Sequence, residues 1–199
     1  MKKWLATAVV LAGITVGAGV GKLSFVAVTG PWIADGDMEI GVWTTLNSIG
    51  EKNLSQYWRA RSAIYGPFGL PPTEVVYFQA AKDDSGKDLE TRCTYAMHGG
   101  KAPARWWSIA VYRDSFYIDN PEDRYSITQS TIKTRDDGQW TIRLSPSGEG
   151  ENGLALGHKP GRVQLTYRLY HPDAGVAQNR NDVALPSIEL ISCPDSSSS

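Results

Sequence analysis

The stretch ARWWSIAVYRDSFYIDNPEDRYS, residues 104–126, places two tryptophans side by side near the start of an extended run. Successive side chains of a β-strand point to opposite faces, so Trp106 and Trp107 cannot enter the same core. Trp107 shares its face with Ile109 and Val111, an apolar set that suits the interior of a β-sandwich. The other face, which we call the aromatic trough, carries Trp106, Ser108, Ala110 and Tyr112. An uncovered trough of this kind is typical of a binding surface.

Alternation of apolar and polar residues continues from Thr73 to near the end of the chain. It predicts strands in EVVYFQA, LETRCTYAMH, YSITQSTIKT, WTIRL, RVQLTYRLY and SIEL. In RVQLTYRLY, residues 162–170, one face is apolar and the other carries Gln164, Thr166 and Arg168, so one side is buried and the other meets water or a partner. Turn residues predict three hairpins, around KDDSGK, around Asp114 and Ser115, and around RDDGQ.

One soluble helix is predicted over residues 51–65, where Gly66 and Pro67 end it. Its aromatic stripe at helical spacing includes Tyr57, Trp58 and Tyr65. The ordinary arrangement packs this stripe into the trough, and the alternative leaves the trough to a ligand or a membrane surface. The pattern predicts a mainly β fold: an antiparallel β-sandwich or jelly-roll-like domain with one packed helix and an N-terminal apolar helix.

The N-terminus carries the features of a targeting signal. Lys2 and Lys3 precede WLATAVVLAGITVGAGV, residues 4–20, which is uncharged and apolar. The run fits a signal peptide, and at about 17 residues it is also just long enough for a membrane anchor, which its length favours. The basic end stays inside in either case. This predicts a single-pass inner-membrane protein with its bulk in the periplasm or, after leader cleavage, a secreted periplasmic one.

The predicted organisation follows from these segments. Residues 1–21 form the anchor or signal peptide, and residues 22–50 form a linker and extended segment. The helix and β domain occupy residues 51–193, and residues 194–199 form a disordered, serine-rich tail.

Charge and motifs argue against several classes of function. Twenty basic and 21 acidic residues scatter without a basic stripe, so nucleic acid is not an expected partner. The sequence has no nucleophile elbow, zinc-protease, dinucleotide-binding or phosphate-loop motif. His98, His158 and His171 lack metal-ligand spacing, so neither a metal nor a cofactor is predicted. Cys93 and Cys193, the only two cysteines, are expected to form a disulfide in an exported protein.

A family resemblance rests on CTYAMHGGKAPARWWSIAVYRDSFYIDNPEDRYSI, GQWTIRLSP and VQLTYRLYHPD. These segments resemble the bacterial domain-of-unknown-function family 1214 in its short, membrane-anchored form, over residues 73–191. The resemblance implies a jelly-roll-like β domain in the cell envelope, with Cys93 and a C-terminal cysteine at matching positions. It implies no reaction, because the family has no assigned activity. In ENGLALG, Gly153 stands where the family usually has tryptophan, so a ligand site lined by that tryptophan in relatives would be altered here.

Two functions of different classes fit these features. The first is non-enzymatic binding of a small-molecule or envelope-polymer ligand, or of a partner protein, at the trough. Its candidate ligand-binding residues are Trp106, Tyr112, Arg105, Asn120, Arg124 and Tyr125. It requires exposed ring area on Trp106 and Tyr112 beside an arginine. A homo-oligomer through a sheet edge or the trough is also compatible with the pattern.

The alternative is a hydrolase or lyase acting on a carbohydrate or lipid of the envelope. Glu74, Asp119 or Glu122 would serve as acid and base, because folding can bring carboxylates together from any sequence distance. This function requires two carboxylates, or a carboxylate beside His98 or His171, within hydrogen-bonding reach in a concave pocket.

Overall fold

The computed structural model describes residues 2–29, 37–46, 50, 53–56, 59–60, 69–114, 116–118, 123–176 and 179–194 of the 199. The chain divides into two compact units, one comprising residues 1–36 and 48–69 and the other residues 37–47 and 70–199. The first unit contains the N-terminal helix, and the second contains both β-sheets.

The first unit is built on helix α1, Lys2–Thr29. Its segment Lys3–Ala27 is long and apolar enough to cross a membrane, a criterion that a signal sequence also meets. Hydroxyl groups in this segment bond back to the helix, because the Thr7 and Thr15 hydroxyls donate to main-chain carbonyls one turn earlier at 3.0 and 2.9 Å. The helix extends beyond the predicted boundary at residue 21, since LSFVAVT, residues 23–29, contains no helix breaker.

The predicted helix over residues 51–65 lies mostly outside the described residues. Within it Gln56, Arg59 and Ala60 are helical, and the Arg59 N–H donates to the Ser55 carbonyl at 3.0 Å, the bonding pattern of an α-helix. The aromatic stripe residues Tyr57, Trp58 and Tyr65 are outside the described residues, as is the chain beyond residue 194. The packing of this helix into the trough therefore stays a prediction.

The second unit contains a seven-stranded antiparallel sheet, the large sheet. Its strands are β1 (Asp37–Ile40), β2 (Trp43–Leu46), β3 (Val75–Ala80), β5 (Ala104–Arg113), β6 (Phe116–Tyr117), β7 (Ser126–Thr128) and β10 (Val163–Pro172). The order is β1-β2-β3-β10-β5-β6, and β7 also pairs with β5. The long strands β5 and β10 pair over their whole length at its centre.

Four strands form the second sheet, the small sheet. They are β4 (Thr94–Gly99), β8 (Trp140–Ser145), β9 (Gly153–Ala155) and β11 (Ser187–Ser192), in the order β11-β4-β8-β9. Pairing is antiparallel except between β8 and β9, which run parallel.

The two sheets share one hydrophobic core, which confirms the predicted mainly β, sandwich-like fold. Trp107, Ile109 and Val111 of β5 are buried in this core, as the alternation predicts. The apolar face of β10 is buried as well, and burial raises the pKa of the Tyr167 phenol above its ordinary range, which keeps it neutral. The small sheet contributes Tyr95, Met97, Trp140, Ile142 and Leu144.

Two of the three predicted hairpins do not pair the strands that the sequence predicts for them, although an antiparallel bridge between Lys82 and Asp88 closes the KDDSGK turn itself. β3 and β4 flank KDDSGK but belong to different sheets, and β7 pairs with β5 whereas β8 pairs with β4 and β9. The hairpin around Asp114 is confirmed, with Tyr112 opposite Tyr117 and Arg113 opposite Phe116. Alternation identifies a strand but does not specify its partner, and in a sandwich the chain often crosses to the other sheet at a turn.

Cys93 and Cys193 lie at disulfide distance, with their Cα atoms 4.2 Å apart. The fold therefore brings together the two cysteines that the sequence pairs. Cys93 immediately precedes β4 and Cys193 immediately follows β11, and these strands are neighbours in the small sheet. A hydrogen bond joins the same two segments, because Arg92 Nη1 donates to the Pro194 carbonyl at 2.6 Å.

Candidate functional site

The register of β5 and β10 joins the aromatic trough to the polar side of β10. Arg168 lies opposite Ser108, and Thr166 lies opposite Ala110. Directly opposed side chains on one face of a sheet have Cβ atoms about 4.5–5.5 Å apart. We call this combined surface, which faces away from the core, the outer face; it comprises Trp106, Ser108, Ala110, Tyr112, Gln164, Thr166, Arg168 and Tyr170.

Arg168 is the only charged residue among those that form the outer face. Its Nη2 donates a hydrogen bond to the Tyr112 hydroxyl at 2.6 Å, and its guanidinium carbon lies 5.7 Å from the centroid of the Tyr112 ring. Its opposite residue on β3 is the uncharged Tyr77. Across the described ranges of the chain, no carboxylate pairs with Arg168. The contacts that the structure describes for this half-buried cation are therefore with uncharged groups. They are the face of the Tyr112 ring, in a cation–π contact, and the phenol hydroxyl of the same residue.

Two buried hydroxyl groups lie beside Arg168. Ser108 is 5% exposed and Thr166 is 4% exposed. Neither side-chain hydroxyl forms a hydrogen bond within the part of the chain that the structure describes. Buried hydroxyls normally have a partner, and leaving one without costs about 1–3 kcal/mol. Two buried hydroxyls without hydrogen bonds, on one surface and next to an arginine, indicate a site at which water or a ligand supplies the missing hydrogen-bond partners.

Stacked tyrosines extend the outer face toward β6. The Tyr112 and Tyr117 rings stack with centroids 4.9 Å apart, and Tyr125 follows 5.4 Å from Tyr117. The hydroxyls of Tyr112 and Tyr117 share a hydrogen bond of 3.4 Å. This shared bond and partial burial raise the pKa of Tyr117 above its ordinary value. The phenol is therefore neutral near pH 7 and gives Arg168 no anionic partner.

Trp106 occupies the opposite end of the outer face. Its ring lies 5.0 Å from the Tyr170 ring, and its indole N–H donates to the Ser130 hydroxyl at 3.0 Å. Trp106 and Tyr112 both keep part of their surface exposed. The arginine beside them is Arg168, which was not among the predicted site residues.

The remaining predicted ligand-binding residues are placed differently. Arg105 alternates with Trp106 along β5, so its exposed side chain leaves the other face of the strand. Tyr125 belongs to the tyrosine stack, and its hydroxyl donates to the Asp123 carboxylate at 3.0 Å. Asn120 lies outside the described residues.

Arg124 holds the loop between β8 and β9. Its Nη1 donates to three main-chain carbonyl oxygens at 3.5, 3.3 and 3.1 Å, those of Gly150, Glu151 and Gly153. Gly153 is buried, and a Cβ atom there would collide with the carbonyl oxygens of Gly148 and Glu149. With this loop conformation no tryptophan fits at position 153, where the family resemblance expects one.

The carboxylate and histidine pairs that the structure describes are on the exposed surface. His171 Nδ1 lies 3.4 Å from a Glu74 carboxylate oxygen, and His98 Nε2 lies 3.7 Å from one of Glu189. Asp119 and Glu122, the other candidate catalytic carboxylates, lie outside the described residues. Over the ranges described, no group of three or more histidine, cysteine, aspartate or glutamate side chains is placed to hold a metal ion.

Sequence reasoning did not select Arg168 and Thr166 as site residues. The alternation in RVQLTYRLY places both on the face opposite the core, and an arginine in the middle of this strand, away from the Arg162 at its start, is the available signal. Their partner strand is not encoded locally, so the sequence does not reveal that Arg168 lies opposite Ser108.

The fold and the outer face define a β-sandwich protein with a polar and aromatic surface outside its core. The family model described as protein of unknown function, DUF1214, matches residues 74–174, and the chain belongs to this family. A comparison with curated proteins returns no match.

One of two similar solved structures supports the same fold. The crystal structure of the VPA0106 protein from Vibrio parahaemolyticus is 25% identical, with a TM-score of 0.56, over 70% of this chain and 36% of that one. An uncharacterised protein from Burkholderia cenocepacia is 16% identical, with a TM-score of 0.40, over 91% of this chain and 43% of that one. The chain thus spans less than half the length of either protein.

Proposed function

We propose that this protein is a non-enzymatic envelope protein, tethered to the inner membrane by α1, whose β domain in the periplasm binds a small or polymeric envelope ligand. The basic Lys2 and Lys3 at the start of the apolar helix α1 favour a cytoplasmic N-terminus. A cysteine pair at disulfide distance fits an oxidising compartment.

The observation that carries the binding role is the composition of the outer face. It combines a half-buried arginine that has no acidic partner in the described chain, two buried hydroxyls without hydrogen bonds, and flanking aromatic rings. The arginine without an acidic partner and the hydroxyls without hydrogen bonds are unfavourable on a surface with only a structural role. Together they supply the few convergent polar groups and the apolar walls of a ligand site.

Location is tested with two fusions of the full chain, each carrying a reporter at its C-terminus. Alkaline phosphatase is active only outside the cytoplasm, and ordinary green fluorescent protein fluoresces only inside it. We expect phosphatase activity without fluorescence, together with a membrane-bound product of full length. Fluorescence without phosphatase activity would contradict the periplasmic placement. A shortened soluble product would show that the N-terminal segment is a cleaved leader and not a membrane tether.

Binding is tested by thermal unfolding of the full chain in detergent against a panel of periplasmic metabolites and envelope polymer fragments. A ligand at 100 times its dissociation constant stabilises the folded state by about 2.7 kcal/mol. Arg168→Gln should abolish the shift, whereas Arg143→Gln, on the small sheet, should keep it. A panel without any stabilising compound, or shifts that survive Arg168→Gln, would count against ligand binding at the outer face.

A further inference from the structure

Building on the ligand-binding role proposed above, we infer that the ligand is an acidic sugar, whose carboxylate binds Arg168 and whose hydroxyls bind Ser108 and Thr166. This assignment names the chemical class that the outer face recognises. Three features of the outer face support it: the charge of Arg168, the placement of the two hydroxyls and the aromatic rings at both ends.

The charge of Arg168 selects an anion. Nη2 donates to the Tyr112 hydroxyl, and within the described residues the Nε and Nη1 groups make no hydrogen bond. A partly desolvated guanidinium without a counter-ion is unfavourable, and charge-assisted hydrogen bonds to a carboxylate relieve that cost. Tyr112 fixes one edge of the guanidinium and leaves the rest directed to a ligand.

The buried hydroxyls select a ligand that is itself rich in hydroxyl groups. Ser108 lies directly across from Arg168, and Thr166 lies two residues away on the same strand and face. Adjacent strands are about 4.8 Å apart, and residues two apart along a strand are separated by roughly 6.7 Å. The Arg168 guanidinium reaches along the strand to Tyr112, past the Thr166 position, and one pyranose ring with its substituents matches the size of this patch.

Aromatic rings close the patch at both ends. Tyr112 lies on one side of Ser108 and Trp106 on the other, and both keep exposed ring surface. The apolar C–H faces of a sugar ring pack against such rings, whose polar groups stay free for hydrogen bonds. A simple inorganic anion would leave these rings and one of the hydroxyls unused.

The test measures dissociation constants of the full chain in detergent for four probes. Glucuronate carries both the ring and the carboxylate, glucose lacks the charge, acetate lacks the ring, and glucose 6-phosphate replaces the carboxylate with phosphate. We expect glucuronate to bind at least ten-fold more tightly than glucose or acetate, and no more weakly than glucose 6-phosphate. Equal binding of glucose and glucuronate, tighter binding of glucose 6-phosphate, or no binding of glucuronate would each overturn the inference.

Variants separate this inference from a structural role of the same residues. Arg168→Gln should weaken glucuronate binding about ten- to hundred-fold and leave glucose binding nearly unchanged, while Arg143→Gln changes neither. Ser108→Ala and Thr166→Val should weaken glucuronate binding several-fold without lowering the thermal midpoint of the unliganded protein, because each removes an unpartnered buried hydroxyl. A lowered midpoint with unchanged affinity would show that the hydroxyls are structural and overturn the assignment.

Failure of this inference is distinguishable from failure of the binding role. If another compound of the panel stabilises the chain in an Arg168-dependent manner and glucuronate does not, the outer face still binds ligands and only the class of ligand is wrong. If no compound binds, both proposals fail.

Discussion

Trp107 and Trp140 stack with ring centroids 5.1 Å apart across the interface between the two sheets. Trp107 comes from β5 of the large sheet and Trp140 from β8 of the small sheet, and both are buried. The indole of Trp140 lies against Gly99, where a Cβ atom would collide with it, and its N–H donates to the Gly100 carbonyl at 3.0 Å. The tryptophan doublet is therefore divided between two environments, with Trp107 in the core and Trp106 on the outer face.

Because Trp106 and Trp107 lie in different environments, replacing each with alanine should lower the free energy of unfolding by different amounts. Trp107→Ala should lower the free energy of unfolding by about 3–5 kcal/mol, because it leaves a large cavity between the sheets. Trp106→Ala should lower it by only about 1–2 kcal/mol, since it removes one hydrogen bond and one ring contact at a half-exposed site. Urea unfolding followed by circular dichroism measures both values, and equal costs would contradict the division of the pair.

Gly153→Ala should destabilise the loop between β8 and β9. A methyl group there meets main-chain carbonyl oxygens that cannot move without breaking the loop, so we expect a loss of about 1–3 kcal/mol. Gly175→Ala is the matched control, because no atom lies within 4 Å of a Cβ at that position and its φ is not in the left-handed region. Equal urea midpoints for both variants would show that the loop relaxes around residue 153.

Strand faces could be predicted from the sequence, and strand partners could not. The alternation in β5 and β10 places the buried residues correctly, because one face of each strand must enter the core. The turn at KDDSGK also has the expected local chemistry. Its flanking strands nevertheless lie in different sheets, since β3 pairs with β10 and β4 with β8 and β11. Pairings of this kind depend on the packing of the whole core.

The candidate site could be predicted only in part, for the same reason. Trp106 and Tyr112 follow from alternation within one strand, and they lie on the outer face as expected. Arg168 reaches Tyr112 from another strand, through a register that no local pattern encodes. Arg124, which sequence reasoning selected for its charge, binds main-chain carbonyls of a loop that the sequence does not place beside it.

The Asp83 carboxyl makes the stability of the fold depend on pH in a predictable direction. Its buried carboxylate accepts hydrogen bonds from the Ser85 N–H and hydroxyl and from the Lys87 N–H, at 2.9, 2.6 and 3.1 Å. Burial alone would raise the pKa of Asp83, but these hydrogen bonds outweigh it and hold the pKa below its ordinary value. The stabilisation is therefore present above the ordinary aspartate pKa and is lost as the pH falls through the lower pKa of the folded state.

Asp83→Asn should accordingly lower the free energy of unfolding by about 1–3 kcal/mol at pH 7. The difference from the wild-type chain should shrink as the pH falls through the lower pKa of the folded state, because the wild-type carboxyl then becomes protonated as well. Urea unfolding of both chains between pH 7 and pH 2.5 measures this convergence. Asp88→Asn, at an exposed position in the same loop, serves as the control. A constant difference at every pH would exclude the carboxylate charge as its source.

Cys93 and Cys193 lie at disulfide distance, and a bridge between them would close a loop with a sequence separation of 100 and fasten β11 to β4. In the chain-entropy model, loss of a bridge over such a loop destabilises the folded state by about 4–5 kcal/mol. Cys193→Ser, or reduction of the wild-type chain, should therefore lower the free energy of unfolding by several kcal/mol, whereas Ser192→Ala should change it little. Urea unfolding with and without reductant measures this loss, and maleimide labelling of the folded, unreduced protein should find no reactive thiol. Two reactive cysteines together with unchanged stability in reductant would show that the two residues are not bridged.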